Sequence, residues 1–432
     1  MPAPRTHRFN LLFAALLVIG AGNSMLLAVA PPLVRQLGLP DSSVGWIFSL
    51  SALLWVFASP YWGRLSDSVG RKPVAALGLG AYAVSMGLFG LAVMLGLMDI
   101  IGGAVLFTAL LLARAVFGAF GSATSPAAQA YVADHTAPFE RTEQFASLTA
   151  AFAFGQAFGP AVCAALAAKL GLVFPIMLVA VLAAAASYGI WRFLPEPTAA
   201  SQEKLPLARQ STASDFAQSL KLSRDPRLSA YLVYGFALSV VAGILVQVFG
   251  LFTMDRLGVS GEQGAELTAA GFMVSALAVL ATQMAILPRL KFTSRELMLW
   301  GSALMGVGVV VQIVAPGLAA LLVAQAVQGV GGGLARPGFS GGASVAVRAE
   351  EQGAAAGLVV AVNGAGFVIS PLLGGVAYER IGINAPLWIA SILLAAMFVF
   401  VWRSQRLKHA IIAEAPSDTA APVESDALNR AM

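Results

Sequence analysis

The sequence predicts an all-α integral membrane protein, with twelve transmembrane helices in two pseudo-symmetric six-helix bundles. Three observations predict it: an apolar composition, twelve stretches long enough to cross a bilayer, and a repeat of one half of the chain in the other. Of the 432 residues, 58% are hydrophobic and only 11% are charged, with a mean hydropathy of +0.81. So few polar side chains cannot cover a soluble globule of this size, and lipid must do most of the covering. The net charge of +5 does not point to nucleic acid, because the basic residues are scattered among short loops and form no stripe. One cysteine, Cys163, excludes a disulfide framework and any paired-cysteine metal site, so neither metal nor cofactor is expected.

In chain order, apolar windows fall near 10–34, 42–63, 73–98, 100–133, 144–168, 170–191, 228–254, 267–288, 297–315, 317–347, 352–378 and 381–402. About 20 such residues in a helix cross roughly 30 Å of hydrocarbon. Only the fourth and tenth windows hold an ionised side chain, Arg114 and Arg336. Ala315-Pro316-Gly317 is a helix-breaking turn between the ninth and the tenth. Ala28-Val29-Ala30 imitates a signal cleavage site, but Pro31-Pro32 would sit at the cut, so the first window is expected to remain as a span. With the N-terminus inside, all but six of the 26 Lys and Arg fall on cytoplasmic segments. Arg35, Lys169, Arg256 and Arg380 fall outside, and two lie within spans. The bias of short-loop Lys and Arg towards the cytoplasm then predicts a multi-pass inner (plasma) membrane protein with both termini cytoplasmic.

Residues 192–227 break the rhythm with ten charges and four prolines, from Arg192 to Arg227. The expected division is an N-terminal bundle at 1–194, a cytoplasmic linker at 195–226, a C-terminal bundle at 227–404 and a cytoplasmic tail at 405–432. Sliding one half over the other gives a repeat at an offset of 211 residues. Arg114 and Gly118 fall on Gln325 and Gly329, Ser125-Pro126 on Arg336-Pro337, and Gly155-x-x-x-Gly159-Pro160 on Gly366-x-x-x-Ser370-Pro371. Two motifs in one register imply two related bundles with a binding site between them near the midplane.

The most specific stretch joins the second and third windows. Gly63, Leu65, Asp67, Gly70, Arg71 and Lys72 fill every position of a G-x-L-x-D-x-x-G-R-[KR] pattern. With twelve spans and the duplication, this resembles the major facilitator superfamily over nearly the whole length. Arg114 with Gly118 and Gly121 is similar to the family's fourth-span motif, and Gly155, Gly159 and Pro160 are similar to its fifth-span antiporter motif. Together they resemble the twelve-span drug:proton antiporter branch, the tetracycline-efflux-like proteins in particular. The resemblance implies a monomeric secondary transporter that works by alternating access, exporting drugs or amphiphilic small molecules with the proton as coupling ion.

Each motif also has a physical reading. Gly70 permits a tight reversal with positive φ, and Gly63 permits close approach at the end of span two. The resemblance places Asp67 near the cytoplasmic start of span eleven and pairs Arg71 with an acid at the end of span four, a place Asp134 occupies here, and so implies an Asp67–Arg71–Asp134 cluster that latches the two halves in the outward-facing state. Topology alone accounts for Arg64, Arg71 and Lys72, but not for the carboxylate or the glycines. Gly155 and Gly159 are first of all a close-packing device, and Pro160 removes a backbone hydrogen bond and bends the helix.

All 21 Asp and Glu can be assigned to loops, tails or span ends, so no deep carboxylate is available as a proton carrier unless Asp67, Asp134, Asp255 or Glu379 lies deeper than the windows suggest. The buried charges are arginines, and a charge within a bilayer is a functional suspect. Arg114 either holds span-one groups such as Asn23 or lines the cavity. Arg336 either anchors a substrate carboxylate or phosphate, or snorkels or pairs at the cytoplasmic side. Asn23, Gln247 and Asn363 are the preferred polar cavity residues, because the resemblance places spans one, seven and eleven around the cavity. The alternative function is transport of an organic anion or metabolite recognised by Arg336 and Arg114. A polytopic membrane enzyme would show buried His, Cys–His or Asp pairs, and none is visible. No phosphate-binding loop suggests direct use of ATP.

Overall fold

The computed structural model describes residues 5–136, 141–195, 222–259, 261–289, 292–348, 351–404 and 407. Among them there are twelve spans and no strand. In the first half, span one is Arg5–Gln36, span two Ser42–Val69 and span three Arg71–Leu97. Span four is Gly103–Phe120 and Thr124–His135, joined by a 3-10 turn at Gly121–Ala123, and spans five and six are Arg141–Leu170 and Val173–Phe193. In the second half, span seven is Pro226–Leu257, and span eight is Gly261–Ala281 extended by a π turn at Thr282–Ile286. Spans nine to twelve are Ser294–Val314, Leu318–Val345, Gln352–Arg380 and Ala385–Arg403. Eleven of these are long and apolar enough to cross a membrane among the described residues, and the remaining one, span five, is a helix of 30 residues.

Several helices run past the charge-free windows. Span two continues through Gly63–Ser68 to Val69, so the expected loop shrinks to Gly70, whose φ of 111° only glycine adopts readily. Spans one, seven and eleven likewise extend to Gln36, Leu257 and Arg380, and carry Arg35, Asp255 and Glu379 inside their last turns. A charge-free window ends at the first ionised residue, whereas the helix ends where its backbone does. Span seven starts with Pro226 at its first position, and the Asp225 carboxylate accepts the Arg227 backbone N–H at 2.8 Å. Side-chain and backbone hydrogen bonds from Arg227 hold that carboxyl below its ordinary value. Most of the expected linker (196–221) and of the tail (405, 406 and 408–432) lies outside the described residues.

Two apolar cores form, one from spans one to six together with Ala265 of span eight, and one from spans seven and nine to twelve. Within each bundle glycine brings backbones together, which matters in lipid, where hydrophobic burial does not drive helices together. A Cβ on Gly331 would lie 2.6 Å from the Met305 backbone nitrogen, and one on Gly301 2.6 Å from that of Ala335, so spans nine and ten touch backbone to backbone. A Cβ at Gly155 or Gly159 would likewise strike the carbonyls of Leu17 and Ala21, and Gly20 packs reciprocally on Phe152. The bundles meet where span two packs on span eleven, span five on span eight and span one on spans seven and eight. The 211-residue offset carries span two onto span eight and span five onto span eleven, so the first two contacts are images of one another.

Candidate functional site

The spans leave two faces: a terminal face, where span one begins and span twelve ends, and a distal face at the opposite ends. On the terminal face the structure assembles the predicted cluster. Arg71 pairs with Asp67 one turn before it, its Nε donates to Asp134 Oδ2 at 3.0 Å, and its Nη1 donates to Ser66 Oγ at 2.7 Å. Lys72 places its ammonium 5.8 Å from the ring centre of Trp191. This ties spans two, three and four to one another, all within the first bundle. Gly63 has room to spare, because a Cβ there would meet only Pro126 Cβ, at 3.8 Å. The close approach expected at that glycine is therefore absent.

The distal face carries a site that the sequence did not disclose. Arg35 donates from Nε and Nη2 to Asp41 at 2.9 and 2.7 Å. It also grips Asp255 of the second bundle through Nη1 and, at 2.9 Å, through Nη2. The Tyr378 hydroxyl donates to the same carboxylate at 2.5 Å, and the Ser42 backbone N–H donates to Glu379 at 2.9 Å. Just inside this network, a Cβ on Gly45 would lie 2.5 Å from the Pro371 carbonyl oxygen, and one on Gly250 2.9 Å from Pro31. The hydrogen bonds between described residues of the two halves lie at this end. The distal side is thus closed by charge and by close packing. Arg35, Asp255 and Glu379 each read locally as an ordinary span-end charge, while the partners that bridge the halves, Asp255 for Arg35 and Ser42 for Glu379, are more than two hundred residues away.

Between the faces, Asn23 and Arg114 come together as expected. The guanidinium is 2% exposed, and its Nη2 donates to Asn23 Oδ1 at 3.1 Å. It lies 4.6 and 5.3 Å from the ring centres of Phe117 and Phe48. The aromatic faces offset part of the cost of burying a charge. Nε and Nη1 have no protein partner among the described residues, nor does either amide atom of Gln247, which is equally buried. Asn363 instead accepts from Ser239 Oγ at 2.7 Å and so joins span eleven to span seven. Arg336 is exposed. Sequence reasoning also missed Tyr82, fully buried, whose ring lies 4.8 Å from that of Phe117 and whose hydroxyl occupies the space left by Gly22. No Asp or Glu is buried, and no three His, Cys, Asp or Glu cluster as metal ligands, among the described residues.

Comparison with known proteins gives the same architecture. The model of the Major Facilitator Superfamily matches residues 12–294 and 289–427. The class D tetracycline resistance protein of Salmonella ordonez is 29% identical over 82% of this chain and 84% of its own length. Multidrug resistance protein 2 of Bacillus subtilis (strain 168) is 23% identical over 92% and 96%, respectively. Among solved structures, the nucleoside transporter NupG superposes with a TM-score of 0.72 at 14% identity, over 94% of this chain and 99% of the other. A bacterial homologue of the lysosomal transporter Spinster, in an inward-facing unoccupied conformation, superposes at 0.69 with 15% identity, over 95% and 98%. The matching residues cover both bundles, and the chain is a multi-pass membrane transporter of small molecules rather than an enzyme. It belongs to the Major Facilitator Superfamily.

Proposed function

We propose that this transporter exports drugs or amphiphilic small molecules by alternating access, driven by a proton gradient, as a monomer in a bacterial-type inner membrane. The observation that carries the reading is the asymmetry between the two faces. The Arg35–Asp255 bridge and the Gly45–Pro371 contact close the distal end, while the Asp67–Arg71–Asp134 cluster stays within one bundle at the terminal end. With both termini, the linker at 195–226 and the tail at 405–432 placed in the cytoplasm, this is the inward-facing state. The cluster on Arg71 is then a latch awaiting its partner in the second bundle. The kinship with tetracycline and multidrug resistance proteins supports export.

Proton coupling needs a carboxylate whose partners change as the faces alternate. Asp255 fits, since Arg35 and Tyr378 both hold it and both belong to other spans. Asp41 is the other acid on Arg35, Glu379 is engaged by the Ser42 backbone, and Arg256 is turned away onto the carbonyls of Ile313 and Ala315. Protonating Asp255 would release the bridge to Arg35, and coupling follows when the proton taken up at the distal face leaves towards the terminal face.

Proteoliposomes with an imposed pH gradient test the reading, with uptake of tetracycline and of a lipophilic cation into the acidic lumen as the signal. Accumulation that needs the gradient is expected. Equal movement with and without a gradient would remove the coupling, and movement of neither compound would remove the export of drugs.

A further inference from the structure

We infer that Arg336 is a recognition site for an anionic group on the transported molecule, so that amphiphiles bearing an ionised carboxylate, enolate or sulfonate are preferred; this rests on the export reading above and specifies its substrate class. Five observations carry it.

First, the faces of span ten are fixed by its glycine contacts. Gly331, Ala335 and Gly338 meet span nine, Gly329 and Gly333 meet span eight, and Phe339 meets Gly235 of span seven. At about 100° per residue, the positions facing span nine lie about 100 to 160° from Arg336. Those facing span eight lie about 20 and 60° to one side, and Phe339 about 60° to the other. Arg336 therefore points between spans seven and eight, the two spans of this bundle that pack on span one of the other half. The lipid-exposed residues Val323 and Val345 lie on the far side of the helix, about 140 and 180° away.

Second, Arg336 is exposed although span ten packs on spans seven, eight, nine and eleven, so the surface it reaches is that of the space between the bundles. Third, its depth and tilt oppose snorkelling. It is nine residues from the helix end at Val345, about 14 Å at the helical rise. Side chains lean towards the helix N-terminus, which for span ten is the distal end, so the guanidinium leans into the membrane and away from the nearer face.

Fourth, it has no carboxylate partner among the described residues. Arg114 is treated differently, being sandwiched by two rings and held by Asn23. Fifth, the fold does not need a cation here. The 211-residue offset puts Ser125 at the equivalent place in span four, where it accepts a hydrogen bond from Gln129 within its own helix. A charge that is deep, turned to the cavity, unpaired and structurally dispensable is kept for something that moves through. A guanidinium matches a carboxylate or sulfonate by paired N–H donors.

The test uses three matched probes of one aromatic skeleton: a carboxylate, its uncharged primary amide and a quaternary ammonium. Binding to the purified full-length protein is measured by tryptophan fluorescence, and transport in the proteoliposomes described above. The carboxylate is expected to bind at least tenfold more tightly than the amide, with the ammonium weakest. Arg336→Gln should abolish the difference between carboxylate and amide, and Arg336→Lys should keep part of it. Equal binding of carboxylate and amide by the wild type, tighter binding of the ammonium, or an unchanged preference in Arg336→Gln would overturn the inference. Should Arg336→Gln not fold, the wild-type ranking and Arg336→Lys still decide it. Drug export without any preference for the carboxylate sinks the inference and leaves the proposed function standing, whereas gradient-independent passage of the carboxylate alone does the reverse.

Discussion

Arg35 grips both carboxylate oxygens of Asp255, 220 positions further along the chain, and so fastens the end of span one to the end of span seven. Both side chains are 30% exposed, which keeps the strength of this bridge modest. Such a pair is suited to a fastening that must open in every cycle. Asp255→Asn should raise the ratio of distal-open to distal-closed molecules about fivefold, corresponding to ~1 kcal/mol. Spin labels at the exposed distal positions Lys169 and Gln263 would read the change as a longer distance, and an identical distance distribution would show that the bridge does not hold the face shut.

On the opposite face, Asp67 is largely exposed and pairs with Arg71 across the Gly70 turn. Asp67→Asn should lower the transport rate about tenfold, while the melting temperature stays within a few degrees, because an exposed pair adds little to stability. Full activity in that variant would rule out a latch built on this carboxylate.

Gly155 and Gly159 seat span five on the backbone of span one, where nothing flexible can give way. Gly159→Val should destabilise the protein by about 1–3 kcal/mol, seen as a lower melting temperature in detergent. Gly63→Ala, with only Pro126 at van der Waals distance, should melt like the wild type. The opposite ranking would contradict the packing described above.

Asp225 caps span seven, and its hydrogen bonds with Arg227 hold the carboxyl below its ordinary value. The contribution of this ionised cap is therefore complete above the unfolded value of about 4 and is lost as the pH falls through the lower folded value. Hydrogen exchange in the first turn of span seven should accelerate only under acid conditions. Asp225→Asn should keep the turn closed with a flatter pH profile, and Asp225→Ala should fray it at every pH by about 1 kcal/mol. A wild-type exchange pattern in the alanine variant would dismiss the cap.

Much of this was legible in the chain itself. Apolar windows locate all twelve spans, and the 211-residue repeat anticipates the equivalence of the two lateral contacts, because both follow from patterns along the chain. The pairing of Arg114 with Asn23 was foreseeable too, since a charge deep in an apolar helix needs a polar neighbour. What escaped depends on proximity without sequence nearness. Asp255 and Glu379 look like ordinary residues at the ends of windows until Arg35 and Ser42 are brought to them. Gly63 misled in the other direction, because a motif glycine carries no sign of whether its surroundings are crowded. The hydrogen bond from Ser239 to Asn363 likewise could not be read from the chain, because it depends on how spans seven and eleven are rotated against each other.

The single-residue junction at Gly70 has a mechanical consequence. Spans two and three are stiff rods of 28 and 27 residues with only one hinge residue between them. Two backbone torsions are the whole freedom of that joint, and the grip of Arg71 on Asp67 braces it. Swinging one rod therefore drags the other, and because span two touches span eleven while span three touches span six, a tilt begun at the plane between the bundles is carried to the outer wall. Span two then acts less as a wall of a pore than as a crank.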